Sequence, residues 1–194
     1  EGDTIVASSE GRPDHLSNYF APGDPCHEDY ETDQNPNLIQ AFALEVRAPS
    51  VPDEASTAMT GGVVGIAADG VAIFGNFAGP GDDIYLESAT FDRCAGHPQM
   101  TGQFHYHTEP YAISYDDARF IGVLADGYAV YGRRDADGSE PTLDAHGGHV
   151  GTTEDSATPV YHYHAHLEVS QVPTSAGQSE YFLTTGTFHG TPAP

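Results

Sequence analysis

Apolar and polar residues along this chain recur with the two-residue period of β-strands, and sustained helical periodicity is absent. In "LIQAFALEVRAP", from Leu38, Phe42, Leu44 and Val46 alternate with other residues, although Ala41 and Ala43 leave a short helix open. Pro49 and Pro52 end the run early, and a strand is the preferred reading. Residues 1–37 are polar and turn-rich, with Pro22, Gly23, Pro25 and Pro36, and read as an arm. A single turn is expected near "SYDDARF".

The alternating pattern occurs twice. "VVGIAADGVAIFGN" from Val63 aligns without a gap on "FIGVLADGYAVYGR" from Phe120 at an offset of 57 residues. "ATFDRCAGH" from Ala89 aligns on "PTLDAHGGH" from Pro141 at an offset of 52, and "FHYH" from Phe104 on "YHYH" from Tyr161 at 57 again. Each copy reads as strand, Asp-Gly turn, strand, a loop ending in Gly-His, then a strand holding His-x-His. Asp-Gly between apolar residues predicts a tight hairpin of the primed type, with positive φ at both central positions. The expected fold is therefore mainly β: an arm over 1–37 and a single domain over 38–194. That domain is built from two hairpin-based repeats, about 62–112 and 119–190, with long loops and a pseudo-two-fold axis.

Side chains at i and i+2 of a strand share a face. His105 and His107 therefore lie on one side while Phe104 and Tyr106 lie on the other, and His162 and His164 repeat the arrangement. Two imidazoles on one face converge on an ion at a nitrogen–metal distance near 2.0–2.1 Å once a neighbouring loop supplies a third donor. His97 and His149, at the ends of the Gly-His loops, fit that role. The expected ligand sets are His97, His105 and His107, and His149, His162 and His164; His166 and His146 have no counterpart in the first copy and are expected to extend the second set. Spacing does not tell whether the sets hold two ions or meet in one centre. Tyr106 and Tyr163 are expected in the core. Asp92 and Asp144 precede the Gly-His elements equivalently, either orienting an imidazole or capping the loop.

These motifs resemble the YHYH-domain family, through "GIAADGVAIFGN", "FDRCAGHPQMTGQFHYH", "FIGVLADGYAVYGR", "LDAHGGHVG", "VYHYH" and the closing "YFLTTGTFHG", spanning about Gly62 to Gly190. The first copy has Phe104 where the motif has tyrosine, and His189 is an unexpected addition. The resemblance implies an exported protein and no particular reaction.

Charge narrows the partners. Lysine plus arginine number 6 against 29 acidic residues, a formal charge of -23. Such a surface repels nucleic acid and anionic membranes and concentrates cations. No apolar run of about 18 residues is present to cross a membrane. The chain begins at Glu1 with neither methionine nor a leader, which reads as a mature exported product. In that setting Cys26 and Cys94 are expected to form a disulfide anchoring the arm, the rival being Cys94 as a thiolate ligand. With the thiolate so engaged, a blue-copper site using Met100 is not supported. "RRDADGSE" carries Asp135, Asp137 and Gly138, but an EF-hand's closing glutamate is replaced by His146, so a surface turn is expected. Neutral imidazoles suit copper first and zinc second. The leading expectation is an exported copper-binding protein for handling, storage or sensing. The alternatives are a metalloenzyme (hydrolase, hydratase or oxidoreductase) with an open three-histidine site, and a structural module cross-linked by metal.

Overall fold

The structure is a computed structural model and describes residues 3–32, 35–79, 83–169 and 179–194. Its strands are β1 (Thr4–Ser9), β2 (Leu44–Pro49), β3 (Thr57–Ala58), β4 (Val63–Ala67), β5 (Ala72–Phe74), β6 (Gly96–Pro98) and β7 (Phe104–Tyr106), followed by β8 (Phe120–Leu124), β9 (Ala129–Tyr131), β10 (Gly148–Gly151), β11 (Val160–His164), β12 (His166–Val169), β13 (Ser179–Phe182) and β14 (Thr187–Phe188). Among the described residues helix is confined to one turn, α1 (Ile84–Glu87), and a 3-10 turn at Ser88–Thr90. The protein is mainly β.

Eight strands form the central sheet in the order β10-β11-β9-β8-β4-β5-β7-β6. β4 and β8 pair antiparallel at its middle. Outward on one side come the hairpin β4–β5, the parallel pair β5–β7 and the antiparallel pair β7–β6. On the other side come the hairpin β8–β9, the parallel pair β9–β11 and the antiparallel pair β11–β10. Both hairpins carry an irregularity at the same place, between Val63 and Gly65 and between Phe120 and Gly122.

The hairpin turns differ from the primed form. Gly70 and Gly127 have φ of 85° and 90°, whereas Asp69 and Asp126 are not in the positive-φ region. The N–H of Gly70 donates to the Ala67 carbonyl and that of Ala67 to the Val71 carbonyl; Gly127 and Leu124 repeat this with Leu124 and Tyr128. This is a three-residue loop in which only the last residue must be left-handed. Asp69 keeps an ordinary φ because its carboxylate accepts the Val71 N–H at 3.1 Å, closing a local turn through the side chain.

One face of the sheet buries Ile73, Phe104, Tyr106, Ile121, Leu124, Val130 and Tyr163 in the main core. Tyr19, Phe20 and Ile39 cover it from the N-terminal side, Leu183 and Phe188 from the C-terminal side. On the opposite face Leu44 and Val46 of β2 pack over Ala72, with Ile66 and Phe74 beside them. The strand expected over Leu38–Ala48 begins only at Leu44, and it alternates buried and exposed as read. Residues read as a featureless arm contain β1, which pairs with β2 along its full length. Its side chains are mostly exposed, so backbone pairing holds it and periodicity has nothing to detect.

Cys26 and Cys94 are both free thiols, which corrects the expected disulfide. Each backbone is fixed by its own aspartate: Asp24 Oδ1 accepts the Cys26 N–H and Asp92 Oδ1 the Cys94 N–H, both at 2.9 Å. The tether between arm and loop is non-covalent instead. Arg93 pairs with Glu28 at 3.2 Å, His15 with Asp92 at 3.1 Å, and the Tyr19 hydroxyl donates to the Thr90 carbonyl.

Two outcomes follow. Gly127→Ala places a Cβ at positive φ and 2.7 Å from the Pro49 carbonyl, so chemical denaturation is expected to show a loss of about 1–3 kcal/mol. Met100→Ala, at an 89% exposed position, is the near-neutral control. Thiol titration of denatured, unreduced protein is expected to find both cysteines reactive; none reactive would restore the disulfide.

Candidate metal centres

Each Gly-His loop is closed by its aspartate. Asp92 Oδ1 accepts the N–H groups of Cys94 and Gly96 at 2.9 and 3.1 Å, and Asp144 Oδ1 those of His146 and Gly148 at 2.8 and 3.2 Å. Asp92 and Asp144 are therefore loop caps, not partners of the clustered imidazoles. Glycine is required after each cap, because a Cβ on Gly96 meets the Phe104 ring at 2.5 Å and one on Gly148 the Tyr161 hydroxyl at 2.5 Å. The following histidine is then set opposite its partner, with His97 facing His105 across β6–β7 and His149 facing His162 across β10–β11.

In the first centre the Nε2 atoms of His97 and His105 lie 3.1 Å apart, as do those of His105 and His107. Tetrahedral coordination at 2.0–2.1 Å separates donor nitrogens by about 3.3 Å, so this spacing suits one ion. The other ring nitrogens fix the tautomers. His107 Nδ1 lies 2.5 Å from the Gly75 carbonyl and His105 Nδ1 3.2 Å from that of Gln103; a carbonyl only accepts, so each Nδ1 carries the proton. His97 Nδ1 lies 2.6 Å from Thr90 Oγ1, whose own proton goes to the Glu87 carbonyl at 2.7 Å, so Nδ1 donates here too. Three unprotonated Nε2 lone pairs then point at one spot. Phe74 stacks on His105 at 4.0 Å and Phe91 meets His97 edge-on at 4.8 Å, closing the site in apolar walls.

The second centre repeats two of these contacts and adds a carboxylate. His164 Nδ1 lies 2.6 Å from the Gly132 carbonyl and His162 Nδ1 3.0 Å from that of Val160, the positions matching Gly75 and Gln103. His149 Nε2 is 3.3 Å from His164 Nε2 and 3.0 Å from Asp135 Oδ1. The same oxygen lies 3.5 Å from His164 Nε2 and 3.8 Å from His162 Nε2. Each of these two sets gathers its donor atoms within 4.8 Å. Along the sheet β7 and β11 stand five strand spacings apart, about 24 Å, which separates the centres.

Asp135 was not foreseen: "RRDADGSE" reads as a solvent turn, and nothing in its local pattern tells that the chain folds back over β11. His166 and His146 do not join the second set. β11 ends at His164 and the chain enters a different sheet at β12, so the shared face is lost. His166 Nδ1 turns to the His164 carbonyl at 3.0 Å, and His146 Nδ1 to Thr187 Oγ1 at 3.0 Å. Tyr106 and Tyr163 are buried in the core as expected.

Burial lowers the basicity of these rings. His97 is pushed down to about 3 by desolvation and by the charge of His107, and His107 to about 4 by desolvation against the opposing Gly75 hydrogen bond. Desolvation likewise brings His164 down to about 4 and lowers His105 and His162. Unfolded, a histidine titrates at 6.5, so between about 6.5 and about 4 the unfolded chain binds protons that the folded chain does not. His15 has the opposite sign. Burial lowers it, but the hydrogen bond and charge of Asp92, joined by Cys94, outweigh that and raise it to about 10. Its contribution is complete below 6.5 and is lost as pH rises toward about 10. Metal-free protein is therefore expected to be most stable near pH 6.5, with denaturation midpoints falling toward both pH 4.5 and pH 9. Ring-proton NMR of metal-free protein that shows these histidines protonating at the ordinary value of about 6.5 would contradict buried neutral imidazoles.

No curated protein and no solved structure matches the chain. The family model described as YHYH protein matches residues 45–141. That span runs from β2 to beyond β9 and contains His97, His105 and His107, while the second Gly-His loop and Tyr161–His164 lie past it. With half of its length matched, and with the first histidine centre inside the match, the chain belongs to the YHYH protein family.

Proposed function

We propose that this protein is an exported metal-binding protein that holds copper, with zinc the alternative ion, in its handling, storage or sensing. The observation that carries the reading is the convergence of unprotonated Nε2 atoms at 3.1 Å, with each Nδ1 committed to an acceptor. Without a cation those lone pairs repel one another, and burial prevents a proton from relieving them cheaply. Copper is favoured by the all-imidazole donor set and its place at the top of the affinity order for nitrogen ligands. Export is supported by the composition, 29 acidic residues against 6 basic ones, and by the family resemblance.

We also read the domain as a duplicated unit with a pseudo-two-fold axis between β4 and β8. The strand order and the matching tautomer-fixing carbonyls support this.

A second reading is favoured by one observation. Side chains of His149 and Asp135 remain 20% and 18% exposed, so an ion there has a side open to an exogenous ligand, as a metalloenzyme requires.

Protein purified without added metal is expected to carry two ions per chain by elemental analysis. Replacing His105 and His107 together with alanine, or His162 and His164 together, should leave one. Unchanged content in both double variants would overturn the assignment.

A further inference from the structure

We infer that the two centres hold ions of different charge: His97, His105 and His107 a monovalent copper ion, and His149, His162, His164 and Asp135 a divalent one. This rests on the metal-binding reading above.

Charge balance is the first argument. Three neutral imidazoles leave an ion's charge uncompensated, and the work of bringing a charge into a low-dielectric interior grows as its square, about four times larger for a divalent ion. The first centre is such an interior: its three histidines are each 2% exposed, between Phe74 and Phe91. Glu87 Oε1 approaches His97 Nε2 at 3.7 Å, on a side chain 26% exposed to solvent, which screens its charge. In the second centre Asp135 Oδ1 lies within 3.8 Å of all three Nε2 atoms and occupies the place of a fourth donor. Counting the ligating groups alone, a monovalent ion in the first and a divalent ion in the second leave both with a net charge of one.

Coordination number is the second argument. Zinc takes four donors, the fourth in an open site being water. Three buried imidazoles behind aromatic rings offer water little access, whereas monovalent copper is satisfied by three nitrogens. The second centre supplies a fourth donor and, through the exposed edges of His149 and Asp135, a route for exchange.

The test uses the full chain under anaerobic conditions, with monovalent copper kept reduced by ascorbate and zinc as the divalent probe, each titrated against a competing chelator. Wild-type protein is expected to bind one copper and one zinc together, the first centre preferring copper by 100-fold or more. Asp135→Asn alters a partly exposed side chain and leaves the core intact; it is expected to weaken zinc about 10- to 100-fold and copper less than threefold. His105→Ala with His107→Ala is expected to remove the copper and spare the zinc. Two zinc ions bound with equal affinity, or zinc unaffected by Asp135→Asn, would overturn the division while leaving metal binding intact. Retention of neither probe would overturn the metal-binding reading itself.

Discussion

The hydrogen bond from an imidazole Nδ1–H to a backbone carbonyl is the interaction on which both centres depend. His107 gives its proton to Gly75 and His164 to Gly132, each carbonyl lying just past the end of the strand that pairs in parallel with the His-x-His strand. The donation selects the tautomer, aims Nε2 away from the sheet and holds the ring plane. Remove it and the ring is free to turn its protonated nitrogen inward, where three such rings cannot share an ion. The parallel pairing is therefore a requirement of the donor geometry, since it brings those carbonyls to the motif.

Much of this was legible in the sequence because strand alternation is a strict geometric rule. His105 with His107 and His162 with His164 had to share faces, and Gly-His had to follow the hairpin closely enough to return opposite them. What alternation does not carry is where loops fold in three dimensions. Asp135 reaches the second centre across a turn without periodicity, and Thr90 holds His97 from a 3-10 turn of one residue triplet. The i+2 rule also misleads once a strand ends: His166 continues the spacing but not the sheet. The absence of the expected disulfide has a related reason: compartment carries no information on distance, and the two cysteine backbones are anchored by Asp24 and Asp92 instead.

The tyrosines explain why histidine and aromatic residues alternate at all. Tyr106 donates its hydroxyl to Asp69 at 2.8 Å, and Tyr163 to Asp126 at 2.5 Å, the aspartates of the two hairpin turns. Burial raises both carboxyls, and the tyrosine hydrogen bond opposes it. One side of the motif strand thus reads the hairpin turn while the other presents the imidazoles. A strand slipped by one residue would lose both at once, because every side chain would change face.

Two histidines outside the ligand sets lie on that reverse side. His15 lies against Phe104 and Tyr106 and pairs with the loop cap Asp92. His189 stacks on Tyr161 at 3.6 Å, gives its backbone N–H to the Tyr163 hydroxyl at 2.7 Å, and lies 3.9 Å from the other loop cap, Asp144. One comes from the N-terminal segment and the other from the C-terminal segment, yet they occupy matching places behind the two centres. His189, the unexpected residue of the closing segment, therefore backs the second loop by stacking on Tyr161, whose hydroxyl donates to Asp144 at 3.0 Å, where His15 bonds the first loop's Asp92 directly. Residues from both ends of the chain are thus packed behind the Gly-His loops, on the face opposite the clustered imidazoles.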